Sequence, residues 1–297
     1  MDKLVITVTC DSSMSYPGNP YMPPIENVDA MAAQYIGAVD AGASIAHHHG
    51  VHYLESEIQA DGRKLSKTNF DGWRSLTELI REKVDPIIQF GIASARLDEK
   101  IRLMALRPEM MSYAFNVHDE YFQPDLAFAA NEMYALHTRD ELQAFSAAAM
   151  EHGVKPEVES FYTGAFWNLE FIRRKGLLVD PVWTTLFLGW QGGAWTPPTH
   201  ESLLYLVHHL PVNVNWNVSV MDAATQWKLL PTAIAMGGHV RVGWEDNPFL
   251  PDGSIARENA ELVDVVVRMA RDIGREVATP EEARRIVGVP VDPQTVA

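Results

Sequence analysis

Short apolar runs alternate with longer amphipathic segments along most of the chain. Each run is the length of a strand that is buried on both faces. The sequence predicts eight strands, at Leu4–Cys10, Ser44–His49, Pro86–Phe90, Met110–Phe115, Lys155–Glu159, Val182–Leu188, Val212–Val218 and His239–Val242.

The segments between these runs carry helical patterns and helix-end signals. Apolar residues recur every three or four positions, and capping residues stand where several of the helices begin. The clearest predicted helices cover residues 25–40, 71–83, 139–152, 258–272 and a short last helix that opens at Thr279-Pro280.

Eight strands alternating with helices favour a single domain over residues 1–297, an α/β fold of the parallel (β/α)₈ barrel (TIM barrel) type with a C-terminal helical extension. A doubly wound open sheet is the alternative. The sequence has neither Gly-x-Gly-x-x-Gly nor Gly-x-x-x-x-Gly-Lys, so the open sheet gains no support from a phosphate-binding loop.

Composition and charge exclude several classes of protein. The formal net charge of −15 argues against nucleic-acid binding, although a local arginine can still bind an anionic substrate. The single cysteine, Cys10, excludes an internal disulfide and fits a reducing compartment. No signal peptide or membrane span is evident, so we expect a cytoplasmic protein without membrane contact.

The sharpest chemical feature is the run His47-His48-His49 at the end of the second predicted strand. Alternate residues of a strand share a face, so His47 and His49 point one way and His48 the other. Two imidazoles at the carboxyl end of a barrel strand can form half of a zinc site. The alternative is that these histidines only pack and bond to the backbone. His52 follows closely as a further polar group.

The second feature is the segment Gly237 to Asn247, which predicts the last strand and its loop. Glu245 could complete a His₂Glu zinc site with an open position, Asp246 could act as a general base, and Arg241 could bind a carboxylate. A solvated acidic loop paired with Arg241 explains the same residues.

The third feature is a pair of carboxylates in the fifth predicted strand. Glu157 and Glu159 share a face and would point into the barrel, where an unpaired carboxylate is costly. They either take part in catalysis or form a salt bridge with an arginine or lysine that points into the barrel.

Four segments together resemble the β-keto acid cleavage enzyme family. They are residues 41–49, 154–159, 237–247 with the pattern Arg-Val-Gly-x-Glu-Asp-Asn, and the tail at 259–263 and 274–284. The family consists of zinc-dependent (β/α)₈ enzymes that convert a β-keto acid and acetyl-CoA into acetoacetate and a new acyl-CoA. The resemblance therefore implies a β-keto acid and acetyl-CoA as substrates and Zn²⁺ as the cofactor.

The resemblance also implies roles for single residues. His47, His49 and Glu245 match the zinc ligands, Asp246 the catalytic base, Arg241 the neighbouring arginine, and Glu157 (alternatively Glu159) the motif glutamate. Three positions depart from the family: Val51 replaces an arginine, Asp11-Ser12-Ser13 replaces a small turn, and Gly91, with Ser94 nearby, replaces a hydroxyl residue. We expect altered substrate and CoA contacts around an intact metal site.

Two other functions remain open from the sequence. One is a zinc hydrolase in which Glu157 or Asp246 activates water, and the other is a metal-loaded binding barrel without turnover. Tyr53, Trp190 and Trp195 would suit an apolar or cationic pocket, or simple packing. The apolar stretch Trp183–Trp195 and the resemblance predict a homo-oligomer, either a dimer or a tetramer.

Overall fold

The structure, a computed structural model, describes residues 2–10, 19–24, 26–50, 53–58, 60, 64–93, 95–123 and 126–289, with backbone only at 53–58, 64–66 and 131. Several sequence predictions lie outside this description. They concern Asp11 to Ser13 with most of the loop that follows, Val51, His52, Ser94 and the side chain of Tyr53.

Eight parallel strands close into a barrel, which confirms the predicted fold class. The sheet follows chain order, and its last strand pairs with its first. The barrel strands are β1 (Ile6–Thr9), β2 (Ile45–His48), β5 (Ile87–Phe90), β6 (Met110–Ala114), β9 (Lys155–Ser160), β10 (Val182–Leu188), β11 (Val214–Val220) and β12 (His239–Val242).

All eight barrel strands coincide with predicted ones, and the largest difference in bounds is at β11. The prediction began this strand at Val212, but the strand begins two residues later, at Val214. Asn213 has a φ of 56°. This left-handed conformation is not that of an extended strand, so the strand can begin only after it.

Helices follow the strands and cover the outside of the barrel. The predicted helices are present with small changes at their ends, and four more lie in the remaining connections. The nine helices of the described residues are α1 (Val28–Asp40), α2 (Phe70–Arg81), α3 (Leu97–Met104), α4 (Arg139–His152), α5 (Gly164–Arg174), α6 (His200–His208), α7 (Gln226–Ala235), α8 (Asn259–Ile273) and α9 (Pro280–Val287). Among the residues described, no helix combines the length and apolar character needed to cross a bilayer.

The helix α9 packs on the amino-terminal end of the barrel. Its Ala283 and Val287 join a buried cluster with residues from the starts of several strands, including Val5, Ile45 and Trp183. Arg284 of this helix bonds to both oxygens of Asp85 and to Glu109. These contacts leave the opposite, carboxyl end of the barrel as the place for chemistry.

Two β-hairpins project from that carboxyl end, and the sequence analysis missed both. One joins β3 (Tyr53–Ile58) and β4 (Lys64–Thr68), between β2 and α2. The other joins β7 (Val117–Phe122) and β8 (Asn131–Leu136), between β6 and α4. Their sequences are rich in charged residues and lack the apolar runs by which the barrel strands were recognised.

Candidate active site

Three of the predicted site residues meet at the carboxyl end of the barrel. One ligand atom each from His47, His49 and Glu245 lies within 4.8 Å of the others. The Nε2 atom of His49 lies 3.3 Å from Oε1 of Glu245. Ligand atoms at the corners of a zinc tetrahedron with bonds of about 2.0–2.1 Å lie about 3.3 Å apart, so this pair already has a suitable spacing.

Hydrogen bonds fix the tautomer of His47 in the form that binds a metal. Its Nδ1–H donates to Oε1 of Gln89 at 2.9 Å, and Arg241 directs an N–H toward its Nε2 at 3.5 Å. Burial, with Arg241 and His49 nearby, holds the pKa of His47 well below its usual value. The imidazole is therefore neutral, with a lone pair on Nε2, and the three side chains fit a zinc ion.

His48 lies on the other face of β2, as strand alternation requires. Its Nε2 is 3.2 Å from the hydroxyl of Thr77 in α2, and its ring packs edge-on against Phe90 and near Trp73. These contacts place His48 under a helix and outside the cluster of candidate ligands.

Gly91, directly after β5, makes room for the His47 ring. A β-carbon at this position would overlap Cε1 and Nε2 of the imidazole. A glycine is therefore needed here because the ring lies against the backbone. The sequence comparison had treated Gly91 only as a missing hydroxyl group.

Replacing Gly91 with alanine is expected to weaken metal binding about 10- to 100-fold, the range for groups that orient a ligand. The added methyl group displaces the Nε2 atom of His47. Metal affinity is measured by competition with a chromogenic chelator. Gly37→Ala is the matched control, because a β-carbon there meets only Ala260 Cβ at 4.0 Å. Equal affinity in both variants would show that Gly91 does not control the ring.

The loop after β12 turns sharply to bring Glu245 over the barrel. Gly243 has a φ of 149°, and a β-carbon there would collide with the backbone of Thr9. The backbone N–H of Glu245 then donates to the carbonyl of Thr9 at 3.3 Å. This close crossing over the end of β1 places Glu245 beside the two histidines.

Arg241 joins the candidate metal site to two further carboxylates. Its NH2 group donates to Glu245 Oε1 at 3.1 Å and to Asp246 Oδ1 at 2.9 Å, and its Nε donates to Asp246 Oδ2 at 2.9 Å. Burial opposes its charge, but Asp246 and Glu245 outweigh burial and raise the pKa of Arg241. Its guanidinium carbon also lies 5.3 Å from the centre of the Phe187 ring.

The Asp246 carboxylate is fully buried and is held by three hydrogen bonds. Besides the two from Arg241, the hydroxyl of Ser219 in β11 donates to Oδ2 at 2.7 Å. The indole N–H of Trp190 lies 3.4 Å from the Ser219 oxygen. Asp246 is thus oriented from two sides next to the candidate ligand Glu245.

Glu157 points into the barrel from β9 and is fully buried. The hydroxyl of Thr185 donates to its Oε1, while its Oε2 has no hydrogen-bond partner within the described part of the chain. Burial raises the pKa of Glu157 to about 7, against the lowering effect of Arg241 and with a further increase from Glu159. A carboxyl group in this range can accept or release a proton near neutral pH.

This shift predicts a pH-dependent effect of Glu157→Gln on the stability of the metal-free protein. The pKa of about 7 in the folded chain exceeds the ordinary 4.5. Ionisation of Glu157 therefore destabilises the fold as the pH rises through this window. Glutamine does not ionise, so the variant should gain up to about 3 kcal/mol above pH 7 and nothing below pH 4.5.

Urea unfolding at pH 4.5 and pH 8 measures the effect, with the exposed Glu132→Gln on β8 as the control. A stability difference between wild type and Glu157→Gln that does not change with pH would contradict a raised pKa at this site.

Of the other predicted residues, Glu159 and Trp190 border this network, whereas Trp195 and Trp183 lie apart from it. Glu159 shares the inward face of β9 and has a small exposed fraction. Trp190 is buried behind Ser219, whereas Trp195 is half-exposed. Trp183 lies in the cluster at the opposite end of the barrel. The oligomeric state stays a prediction, and two of the three tryptophans on which it rested are buried within the chain.

Sequence reasoning missed four residues that orient the predicted ones, namely Gln89, Gly91, Thr185 and Ser219. The register of the barrel places Gln89 beside His47. It pairs Thr185 with Glu159 and Ser219 with Phe187, so the bonds of these two hydroxyl groups to Glu157 and Asp246 do not follow from register alone. Each stands as a polar or small residue within or directly after an apolar strand, which is the signal that could have identified them.

Comparison with known proteins gives a consistent result over nearly the whole chain. A family profile described as beta-keto acid cleavage enzyme matches residues 3–289. A 3-keto-5-aminohexanoate cleavage enzyme of Fusobacterium nucleatum is 32% identical over 294 residues, covering 97% of this chain and 99% of that relative. A 3-dehydrocarnitine:acetyl-CoA trimethylamine transferase of Rhizobium meliloti is 29% identical, covering 86% of each chain.

A solved structure shares the fold at lower sequence identity. ObcA, determined in a ternary complex with a C4-CoA adduct and oxalate, superposes with a TM-score of 0.67 over 91% of this chain and 68% of its own. The two sequences are 18% identical, so the similarity supports the barrel architecture.

Proposed function

The chain belongs to the beta-keto acid cleavage enzyme family, and on that premise we propose that it converts a β-keto acid and acetyl-CoA into acetoacetate and a new acyl-CoA. The observation that carries the proposal is the contact of a His₂Glu cluster with Arg241 and Asp246 at the carboxyl end of the barrel. Such a cluster leaves one tetrahedral position for a substrate oxygen.

The overall reaction forms one carbon–carbon bond and breaks another, and CoA moves from the acetyl group to the acyl group of the β-keto acid. A proton leaves C2 of the β-keto acid, and C2 then bonds to the acetyl carbon while the CoA thiolate departs. The thiolate attacks the original keto carbon, and the bond between C2 and C3 breaks. The products are acyl-CoA and the acetoacetate enolate, which regains one proton at C2.

Zinc held by His47, His49 and Glu245 would polarise the β-keto oxygen as a Lewis acid. Asp246 accepts the C2 proton, because it is fixed beside Glu245 and its orientation is set by Ser219 and Arg241. Arg241 binds the substrate carboxylate through NH1. The contact described for NH1 is a long hydrogen bond, 3.5 Å to Nε2 of His47. With the lone pair of that nitrogen used as a zinc ligand, the NH1 donor would be left for the substrate.

Glu157 completes the set as a buried carboxyl group that is close enough to Arg241 for their charges to interact. Its pKa of about 7, set mainly by burial, suits a group that holds the proton between its removal from C2 and its return. Thr185 fixes one of its oxygens, and Oε2 has no partner among the described residues and so can exchange a proton.

The proposal is tested by incubating the zinc-loaded protein with a panel of β-keto acids, with and without acetyl-CoA. Formation of acetoacetate and acyl-CoA only when acetyl-CoA is present supports it. Cleavage without acetyl-CoA would instead support a hydrolase, and full zinc occupancy without turnover on any panel member would support a binding protein.

A further inference from the structure

The side chains inside the barrel form three layers of four, and the middle layer is polar throughout. Alternate strands contribute to the same layer, and such layers are normally filled by branched apolar residues. The middle layer consists of Thr7, Gln89, Glu157 and Asn217, all fully buried. The strand register places it between a layer on the amino-terminal side, Ile45, Met110, Trp183 and His239, and a layer on the carboxyl-terminal side, His47, Ser112, Thr185 and Arg241.

Three of the four side chains in the middle layer have a polar atom without a partner. Nε2 of Gln89, Oε2 of Glu157 and Oδ1 of Asn217 form no hydrogen bond within the described part of the chain. The indole N–H of Trp183, which pairs with Glu157 in the register, also has no partner among the described residues. A buried polar group costs free energy unless something bonds to it.

The other polar atom of each of these side chains is tied to a neighbour. Oε1 of Gln89 accepts the bond from Nδ1 of His47 at 2.9 Å, and Oε1 of Glu157 accepts one from the hydroxyl of Thr185. Nδ2 of Asn217 donates weakly to the threonine of the same layer at 3.5 Å. Only the free ends of the three side chains are therefore left to meet in the middle of the layer.

We propose that the middle layer binds one water molecule on the barrel axis, and that Asn217 is a positioning residue that acts on Glu157 through this water. The N–H groups of Gln89 and Trp183 donate to the water oxygen, and its two hydrogens are donated to Oδ1 of Asn217 and Oε2 of Glu157. Two donors and two acceptors match the bonds that a buried water forms. The inference rests on the proposed function only for the role of Glu157 as a proton acceptor.

Two other arrangements could fill the same space. Direct bonds would require the free ends to lie within hydrogen-bond distance of one another, and no such bond joins them. A metal cation is disfavoured because two of the four groups are N–H donors and Arg241 lies in the adjoining layer. Polar groups that face each other beyond direct contact are bridged by water in many interiors.

A water in this position changes the ionisation of Glu157. Burial raises the pKa of Glu157 most, Arg241 lowers it, and Glu159 and Asp246 raise it further. A hydrogen bond donated to Oε2 stabilises the carboxylate and therefore lowers this pKa. Leucine in place of Asn217 has a similar volume but cannot accept a bond from the water. Asn217→Leu should therefore exclude the water and raise the pKa of Glu157.

Crystallography of the wild-type protein tests the water itself. At a resolution that shows ordered waters, we expect one density peak at about 2.7–3.2 Å from at least three of the four polar atoms. The peak should be missing in Asn217→Leu. A wild-type structure without this peak would overturn the proposal, and this result does not depend on whether the variant folds.

The pH dependence of stability tests the effect on Glu157. Urea unfolding compares proteins with Glu157 and with Glu157→Gln, once with Asn217 and once with Asn217→Leu. The stability difference grows with pH up to the pKa of Glu157 in the folded chain and then levels off. We expect it to level off about one pH unit higher in Asn217→Leu, because a hydrogen bond to a charged group is worth at least that shift.

Asn215→Leu is the matched control on the same strand. It removes the bond from Nδ2 of Asn215 to the carbonyl of Ile286 in α9, which is 2.7 Å long. We expect it to lower stability without changing the pH at which the difference levels off. If Asn217→Leu also lowers stability without moving this pH, Asn217 has only a structural role and the proposal is overturned.

Neither measurement uses a substrate, so the inference and the proposed function can fail separately. The water peak and the pH shift, found in a protein that forms no acetoacetate from any β-keto acid, support the inference while the proposed function fails. Acetyl-CoA-dependent formation of acetoacetate by a protein without the water peak overturns the inference and leaves the proposed function standing.

Discussion

Replacing His47 with alanine is expected to reduce zinc content from one equivalent to a small fraction and to lower kcat/KM at least about 10³-fold. Lewis-acid stabilisation of an enolate contributes several kcal/mol to the rate, and each 1.36 kcal/mol changes the rate about tenfold. His47 is one of the two buried ligands of the candidate cluster, and its tautomer is fixed by Gln89. Zinc is measured by mass spectrometry on dialysed protein and kcat/KM by acetoacetate release.

The adjacent His48→Ala variant is the matched control. It removes an imidazole from the same strand, but one that packs under α2 against Thr77 and Phe90. We expect this variant to keep one equivalent of zinc and to unfold at a lower temperature, because it leaves a cavity in the core. Loss of zinc in His48→Ala, with zinc retained in His47→Ala, would reverse the assignment of the two faces of β2.

Replacing Asp246 with asparagine is expected to lower kcat about 10²- to 10⁴-fold, the range for the loss of a general base. Zinc should be retained, since Asp246 lies outside the cluster of candidate ligands. Arg241→Lys is also expected to be costly, because a single ammonium cannot reproduce the two-point contact with Asp246. Both effects are measured as kcat at saturating substrate, with zinc content determined on the same samples.

The structure adds a stability effect to this prediction. Asp246 and Arg241 are both buried, so removing one charge leaves its partner without full compensation, at a cost of about 3–5 kcal/mol when a pair is broken. Asparagine keeps one acceptor oxygen, and Glu245 still bonds to Arg241, so we expect a smaller loss. A variant that unfolds earlier but retains near-normal kcat below its melting temperature would show that Asp246 only supports the loop and would move the base to Glu157.

The barrel was accessible to sequence analysis because its strands are buried on both faces. In β5 and β10, for example, every residue is buried and most are apolar, so these runs stand out against their surroundings. The histidines of β2 could be assigned to faces from alternation alone, since a strand has a period of two residues. The metal cluster itself needed the closed barrel, because His49 and Glu245 are far apart in sequence.

The hairpins and the orienting residues were not accessible in the same way. The face of β7 that carries His118 and Glu120 is buried against the barrel. Sequence analysis predicts burial from apolar residues, so alternating polar residues gave no sign of it. Gln89 becomes important only through the register that sets it beside His47, and Ser219 only through the loop after β12 that brings Asp246 to its hydroxyl group. Sequence pattern therefore predicts which residues bear the chemistry better than it predicts which residues orient them.

The position of an isotope label in the product tests the central claim most directly. The zinc-loaded protein is incubated with [1-¹³C]acetyl-CoA and an unlabelled β-keto acid, and acetoacetate is examined by ¹³C NMR. We expect the label at C3 of acetoacetate alone, because the acetyl carbon bonds to C2 of the β-keto acid, and unlabelled acyl-CoA should form in equal amount. Acetoacetate without the label, or β-keto acid consumed while labelled acetyl-CoA stays intact, would contradict cleavage by carbon–carbon exchange with acetyl-CoA.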